Sequence, residues 1–202
     1  MVFATSNIVP LQKAAYSDPE IVAGVLCGDP GAGKALAERF APMIHRRVWR
    51  LLGADSEHAD IVQQVFFQVV QGLSRLTDRQ ALSDWVGQVT VNVVRNELRR
   101  RRYRRIVGLS TETAESALDE SDPELGPAVR RGLEILNTMK VDERILFVLR
   151  YVDGAELREV AQLTGCSLAT VKRRLLRARA TFLKKAARDP MLAHWVSKDE
   201  KS

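Results

Sequence analysis

Apolar residues recur along this chain at intervals of three and four, and that spacing confines it to helices. Ile61, Val62, Val65, Phe66, Val69 and Val70 mark one helical face, and Leu82, Trp85, Val86, Val89, Val93 and Leu98 mark another. Leu168, Val171, Leu175, Ala178 and Phe182 form a third stripe near the C-terminus. Further upstream, a short helix is expected near 19–27 and a longer one running to about Leu52, with Gly28, Pro30, Gly31 and Gly33 between them. No stretch alternates apolar and polar residues between turn signals, so the expected fold class is all-α.

Charge divides the helices into two groups. Seven arginines and one acid, Glu97, lie between Arg95 and Arg105, whereas 106–129 holds six acids and no basic residue. From Leu168 to Arg188 there are eight basic residues and no acid. The acidic stretch also carries Gly108, Ser110, Thr111, Thr113, Ser116, Ser121, Pro123, Gly126 and Pro127, which is the composition of a flexible linker. Two small helical domains are therefore expected, at 18–105 and 129–188, joined by an acidic linker at 106–128. The net charge of +6 favours a polyanionic partner, either nucleic acid or an acidic membrane surface.

Several functions find little support. No apolar run approaches the roughly 20 residues of a membrane span. The start, Met-Val-Phe-Ala-Thr-Ser, lacks the basic and apolar segments of a secretion signal, so the cytoplasm is the expected compartment. Cys27 and Cys166 lie far apart and read as small, reduced hydrophobes. His45, His58 and His194 are scattered, with no partner at ligand spacing, and no metal or cofactor is expected. Gly28 to Lys34 fits the spacing of a phosphate-binding P-loop, but Ala35 stands where a magnesium-holding hydroxyl belongs. A P-loop also needs a parallel sheet with an acidic residue on another strand. A turn between helices is the better reading. No nucleophile–base pair or paired catalytic carboxylates stand out, so neither an enzyme nor a small-molecule substrate is expected.

The strongest local signal lies in the second half. Leu157 to Gly165 reads as a short helix with Val160 and Ala161 inward, Gly165 makes a turn, and Ser167 caps the next helix. A helix-turn-helix needs a small residue where its helices touch, a glycine able to take positive φ, and an apolar anchor on the second helix. Ala161, Gly165 and Val171 have that spacing. The outward residues of the second helix are then Ala169, Thr170, Lys172, Arg173, Arg174 and Arg177, with Ser167 at its start. A basic helix with small residues at its N-terminal end suits the major groove of duplex DNA. In the first half, the stripe through Trp85 and Leu98 leaves Gln88, Asn92, Arg95, Asn96 and Arg99 on one polar face.

On these residues the chain resembles bacterial RNA polymerase sigma factors, specifically the extracytoplasmic-function (ECF) type. Leu136 to Lys185, including Asp142-Glu-Arg-Ile-Leu-Phe-Val-Leu-Arg-Tyr-Val-Asp-Gly154, is similar to the family's promoter-distal DNA-binding domain. Asp60-Ile-Val-Gln-Gln-Val-Phe66 resembles its polymerase-binding helix, and Trp85 through Arg105 its promoter-melting helix, with Trp85, Asn92, Leu98, Arg99 and Arg100 on family positions. The likeness covers about 18–188.

The resemblance implies that Asp60, Gln63 and Gln64 meet the clamp helices of the polymerase's largest subunit. It implies that Gln88, Asn92, Arg95, Asn96, Arg99 and Arg100 serve the minus-ten element as an unwound strand, with Trp85 in the core. Ser167, Ala169, Thr170, Lys172, Arg173, Arg174 and Arg177 would serve the minus-thirty-five duplex. Other implied partners are the flap of the second-largest subunit and an anti-sigma factor, often membrane-tethered, which would hold the protein at the inner face of the membrane.

Two residues depart from the family pattern: Gln64 stands where an acid is usual, and Asn96 where Asp is common. A stand-alone repressor would explain only the second half. An RNA regulator would use the same arginines but would want more aromatic stacking platforms. A P-loop enzyme would need strands.

Overall fold

The computed structural model describes residues 16–53, 56–108 and 126–194. Among these residues there are eight α-helices and no strand. The first four are α1 (Asp18–Leu26), α2 (Pro30–Leu52), α3 (His58–Gly72) and α4 (Leu82–Ile106), with single 3-10 turns at Leu73–Arg75 and Arg79–Ala81. The second four are α5 (Pro127–Asn137), α6 (Val141–Phe147), α7 (Leu157–Thr164) and α8 (Leu168–Ala186). Beyond α6 the backbone continues through Val148–Val152 in a wider, π-type winding. Most of the expected acidic linker lies outside the described residues, but its last residues differ from expectation. Helix α5 already begins at Pro127, whose fixed φ and missing N–H suit the first position of a helix.

Local chemistry sets the helix boundaries. Ser17 opens α1, with the Glu20 carboxylate accepting from the Ser17 backbone N–H at 2.8 Å in a capping box. Asp29 opens α2, its carboxylate accepting from Gly31 N–H at 2.8 Å, with Pro30 in the first turn. The glycine-rich stretch is thus narrower as a break than the sequence implies: Gly31 and Gly33 belong to α2. Gly31 needs its smallness for packing, since a Cβ there would sit 2.7 Å from the Tyr16 hydroxyl, whereas one on Gly33 would meet nothing within 4 Å. On α1, a Cβ on Gly24 would sit 2.4 Å from Ala32 Cβ of α2. Gly28, with φ +76°, makes the turn between α1 and α2, as expected of this stretch.

One hydrophobic cluster runs from Ile21 to Ala178 and draws on both halves. In the first half Ile44, Val48, Leu51, Val65, Val86 and Val94 are fully or almost fully buried, and in the second Ile145, Val148, Leu149, Val160 and Val171 are. Each such side chain contributes about 1.5–3 kcal/mol relative to exposure. Helix α4 joins the halves, packing on α2 and α3 on one side and on α6 and α7 on the other. That double embrace buries Gly87, Thr90, Val91 and Val94 in addition to the expected stripe. At the closest point a Cβ on Gly87 would lie 2.7 Å from Leu163 of α7. A smaller cluster of Ile135, Ala186 and Leu192 fastens α5 and the segment after α8 to the end of α8.

Two expected core residues sit elsewhere: Val70 is 48% exposed and Leu168 38% exposed. Phe66, Trp85, Val89 and Phe182 are half-buried and pack against the core. Val70 and Leu168 lie at the margins of their stripes, where a helix of 3.6 residues per turn rotates them past the contact zone.

Candidate nucleic-acid interface

Helices α7 and α8 form a compact pair joined by a three-residue turn. Gly165 has φ +66°, a left-handed conformation that costs a residue with a Cβ about 1–2 kcal/mol. Ser167 accepts from Thr170 N–H at 3.3 Å and starts α8. Val160 and Val171 are fully buried, and Ala161 is half-buried between them. With Val171, Leu175 and Ala178 inward, α8 presents Ser167, Ala169, Lys172, Arg173 and Arg177 as exposed residues, while Thr170 and Arg174 are half-buried. Lys172, Arg173 and Arg177 make no ion pair among the described residues. Arg174 turns back toward Cys166, its Nη1 lying 3.7 Å from the sulfur. The face keeps its positive charge uncompensated and open to a polyanion.

The polar face of α4 is differently engaged. Gln88 is half-buried, Asn92, Asn96, Arg99 and Arg100 are exposed, and Arg95 is half-buried. Arg95 Nη1 donates to Asn92 Oδ1 at 2.6 Å, and its Nη2 donates to the Thr164 carbonyl at the C-terminus of α7, at 3.2 Å. Its Nε lies 3.4 Å from Asp142 Oδ1, at the start of α6. Arg99 Nη2 reaches the same carboxylate at 3.3 Å. Both acceptors belong to the second half of the chain.

Further along α4, Glu97 organises the basic run from within. It is buried and accepts from Arg100 Nε at 2.8 Å and Arg101 Nε at 2.7 Å, with Arg104 Nη2 at 3.6 Å. Burial alone would raise its pKa, but the hydrogen bonds and charges of Arg100 and Arg101 outweigh that and hold the carboxyl below its ordinary value. The same bond raises the pKa of Arg100. Glu57, just before α3, adds a bond from Arg101 Nη2 at 2.8 Å. Sequence spacing assigns Glu97 no role; its signal is being the one acid among seven arginines.

Asp60, Gln63 and Gln64 share the exposed face of α3, beside Phe67, which is 56% exposed. Asp60 and Gln64 also line a cleft of about 510 Å³ between α3 and α4, together with Asn96 and Arg100. The structure thus brings part of the expected polymerase-binding set beside part of the expected minus-ten set. The α8 set belongs to a different helix pair and shares no residue with that cleft. Trp85 is half-buried against the core, the packing role expected of it.

Sequence spacing also missed two contacts. His45 of α2 and His58 of α3 stack with ring centroids 5.3 Å apart, and His45 Nδ1 lies 3.0 Å from His58 Nε2. Arg47 and Arg50 of α2 reach Asp153, at 3.4 and 2.7 Å, immediately after the π-type winding. Among the described residues no three His, Cys, Asp or Glu side chains group as metal ligands, and no helix is long and apolar enough to cross a membrane.

Comparison with known proteins agrees with this architecture. Residues 36–104 match the Sigma-70 region 2 family, and residues 133–182 match Sigma-70, region 4. The chain is 28% identical over 174 residues to the ECF RNA polymerase sigma-E factor of Escherichia coli K12, covering 81% of this chain and 91% of that protein. It is 37% identical over 131 residues to the "Probable RNA polymerase sigma factor RfaY" of Xanthomonas campestris pv. campestris, covering 60% of this chain but 32% of that longer protein. Two solved structures share the fold. CnrH bound to the cytosolic domain of CnrY aligns with a TM-score of 0.60 at 21% identity, over 85% of this chain and 98% of CnrH. The sigma factor RpoE, bound to the anti-sigma factor NepR from Bartonella quintana, aligns at 0.57 and 18%, over 75% and 94%. Members of this family are generally DNA-recognition factors without catalytic activity of their own. With both regions present in order, the chain belongs to the sigma-70 family as an ECF-type sigma factor, a protein that directs promoter recognition and transcription initiation.

Proposed function

We propose that the two basic helices divide promoter recognition between them, with 18–105 acting as one functional unit, 129–188 as the other and the acidic stretch between α4 and α5 as the tether. The observation that carries this reading is the open basic face of α8, where Lys172, Arg173 and Arg177 are exposed and no acid lies within 168–188. Small residues at its N-terminal end, Ala169 and Thr170, let the helix approach base edges in a major groove, while the longer cations reach bases and phosphates. This unit reads the minus-thirty-five duplex.

The α4 face serves the minus-ten element. Asn92 and Asn96 carry amide groups able to hydrogen-bond exposed base edges, with Gln88 at one end of the face, and Arg95, Arg99 and Arg100 supply phosphate neutralisation. Asp60, Gln63 and Gln64 on α3 meet the clamp helices of core RNA polymerase. The cleft of Phe147, Tyr151, Phe182 and Leu183, with Arg179 at its side, offers a seat for the polymerase flap. An anti-sigma factor covering these surfaces would hold the protein inactive at the inner face of the membrane, and the protein works in the cytoplasm. It is not an enzyme, takes no small-molecule substrate and acts by binding energy alone.

Run-off transcription with purified core polymerase and a library of promoter fragments tests the proposal. Initiation from a shared two-part motif is the expected result. Duplex binding without core binding or transcripts would instead make the protein a repressor.

A further inference from the structure

We propose that Asp142 is an intramolecular stand-in for promoter phosphate, latching the second half of the chain over the α4 face so that nucleic acid must displace it. The inference rests on the reading of α4 given above. Arg95 is the centre of the latch. Its guanidinium forms an ion pair with a carboxylate, Asp142, at 3.4 Å and donates from Nη2 to a helix-terminal carbonyl, Thr164, both of them the kind of oxygen acceptor that a phosphate would offer. The carbonyl end of α7 adds the negative pole of that helix. Arg99 joins from the next turn of α4, again on Asp142. Asn92, a candidate base reader, is held by Arg95 in the same network. Two residues proposed for one strand of promoter, Arg95 and Arg99, are thus occupied by two acceptors from the other half, and a third, Asn92, is held through Arg95.

The latch has the properties of a reversible one. Asp142 is 37% exposed and Arg99 57% exposed, so solvent screens their attraction and its strength is modest. Removing the carboxylate raises the population of the open form, and apparent nucleic-acid affinity rises with that population.

The experiment compares full-length wild type with D142N, D142K and E143K. Glu143 occupies the same first turn of α6 and makes no ion pair among the described residues, so E143K controls for added positive charge and for the helix end. Two quantities are read: the radius of gyration by small-angle X-ray scattering, and affinity for a fluorescein-labelled single-stranded dT20 oligonucleotide at low salt. The expected result is a larger radius and tighter oligonucleotide binding, by about three-fold for D142N and about ten-fold for D142K relative to E143K. Circular dichroism showing unchanged helicity establishes that the variants are folded, and D142N remains the test if D142K is not. Unchanged radius and affinity in D142N, or equal effects of D142K and E143K, overturn the latch. A larger radius with unchanged affinity overturns the competition. Expansion of D142N with no oligonucleotide binding by any form leaves the latch standing and removes α4 as a strand-binding face.

Discussion

Helices α4 and α8 are both rich in arginine, yet they hold their charge in opposite ways. Along α8 no acid occurs, the apolar stripe is continuous, and the exposed cations Lys172, Arg173 and Arg177 face solvent without ion-pair partners among the described residues. Along α4 nearly every arginine that matters is already engaged: Arg95 and Arg99 by the other half of the chain, Arg100 and Arg101 by Glu97 and Glu57. A count of basic residues, seven on each helix, would rank the two as equal polyanion sites. Partner geometry separates them, because a guanidinium already bonded must give up that bond before it meets a phosphate.

Replacing Glu97 gives the largest contrast. E97A leaves three arginines crowded around an empty position. Its partners are 57%, 21% and 38% exposed, so the cost falls below that of a fully buried pair, at about 2 kcal/mol. Urea denaturation followed by circular dichroism measures it, and a loss under ~0.5 kcal/mol would mean that Glu97 organises nothing. On α8 the contrast is in binding. R173A should weaken duplex promoter DNA about ten-fold, or ~1.4 kcal/mol, while leaving the denaturation midpoint and affinity for core polymerase unchanged. Loss of duplex and core binding together would show that α8 is structural.

Acid should separate the two helices more gently. Glu97 has a folded pKa below its ordinary value of 4.5, so its contribution to stability is present above that value and is lost as the pH falls through the lowered one. Stability of the wild type should therefore fall more steeply than that of E97Q below about pH 4.5, as read by denaturant titrations at stepped pH. Parallel curves would break the assignment. The smallest effect belongs to R99A, which removes one exposed arm of the Asp142 contact and should change stability by less than about 0.5 kcal/mol. A larger loss would mean that the two halves depend on each other for folding.

The helices were legible in the sequence because their stripes repeat at helical spacing, and α7, the glycine turn and α8 were legible because three local requirements coincide at Ala161, Gly165 and Val171. The outward face of α8 followed directly, since only one side of that helix is buried. For α4 the same reasoning was incomplete. A single apolar stripe predicts one packed side, whereas Gly87, Thr90, Val91 and Val94 are buried on the side that meets α7. Nothing local to 82–106 announces that contact, which depends on residues roughly 70 positions away, such as Leu163 and Thr164. The Arg47–Asp153 pair was hidden for the same reason, and the His45–His58 stack because it depends on how α2 and α3 cross. The glycines at 28–33 read as a turn between helices, and Gly28 makes that turn, but Gly31 and Gly33 fall inside α2, where Pro30 and the Asp29 cap start the helix earlier than the glycines suggest.

The π-type winding at 148–152 makes the meeting of the two halves a matter of arithmetic. Asp153 N–H bonds the Val148 carbonyl at 2.9 Å, five residues back. Deleting one residue there would restore ordinary α-helical bonding and rotate everything downstream by about 100° about the helix axis. Asp153 would then turn away from Arg47 and Arg50 with its chemistry intact. At this position the chain is phased like a gear tooth, and its contact with α2 is set by how many residues precede it as much as by which residue it is.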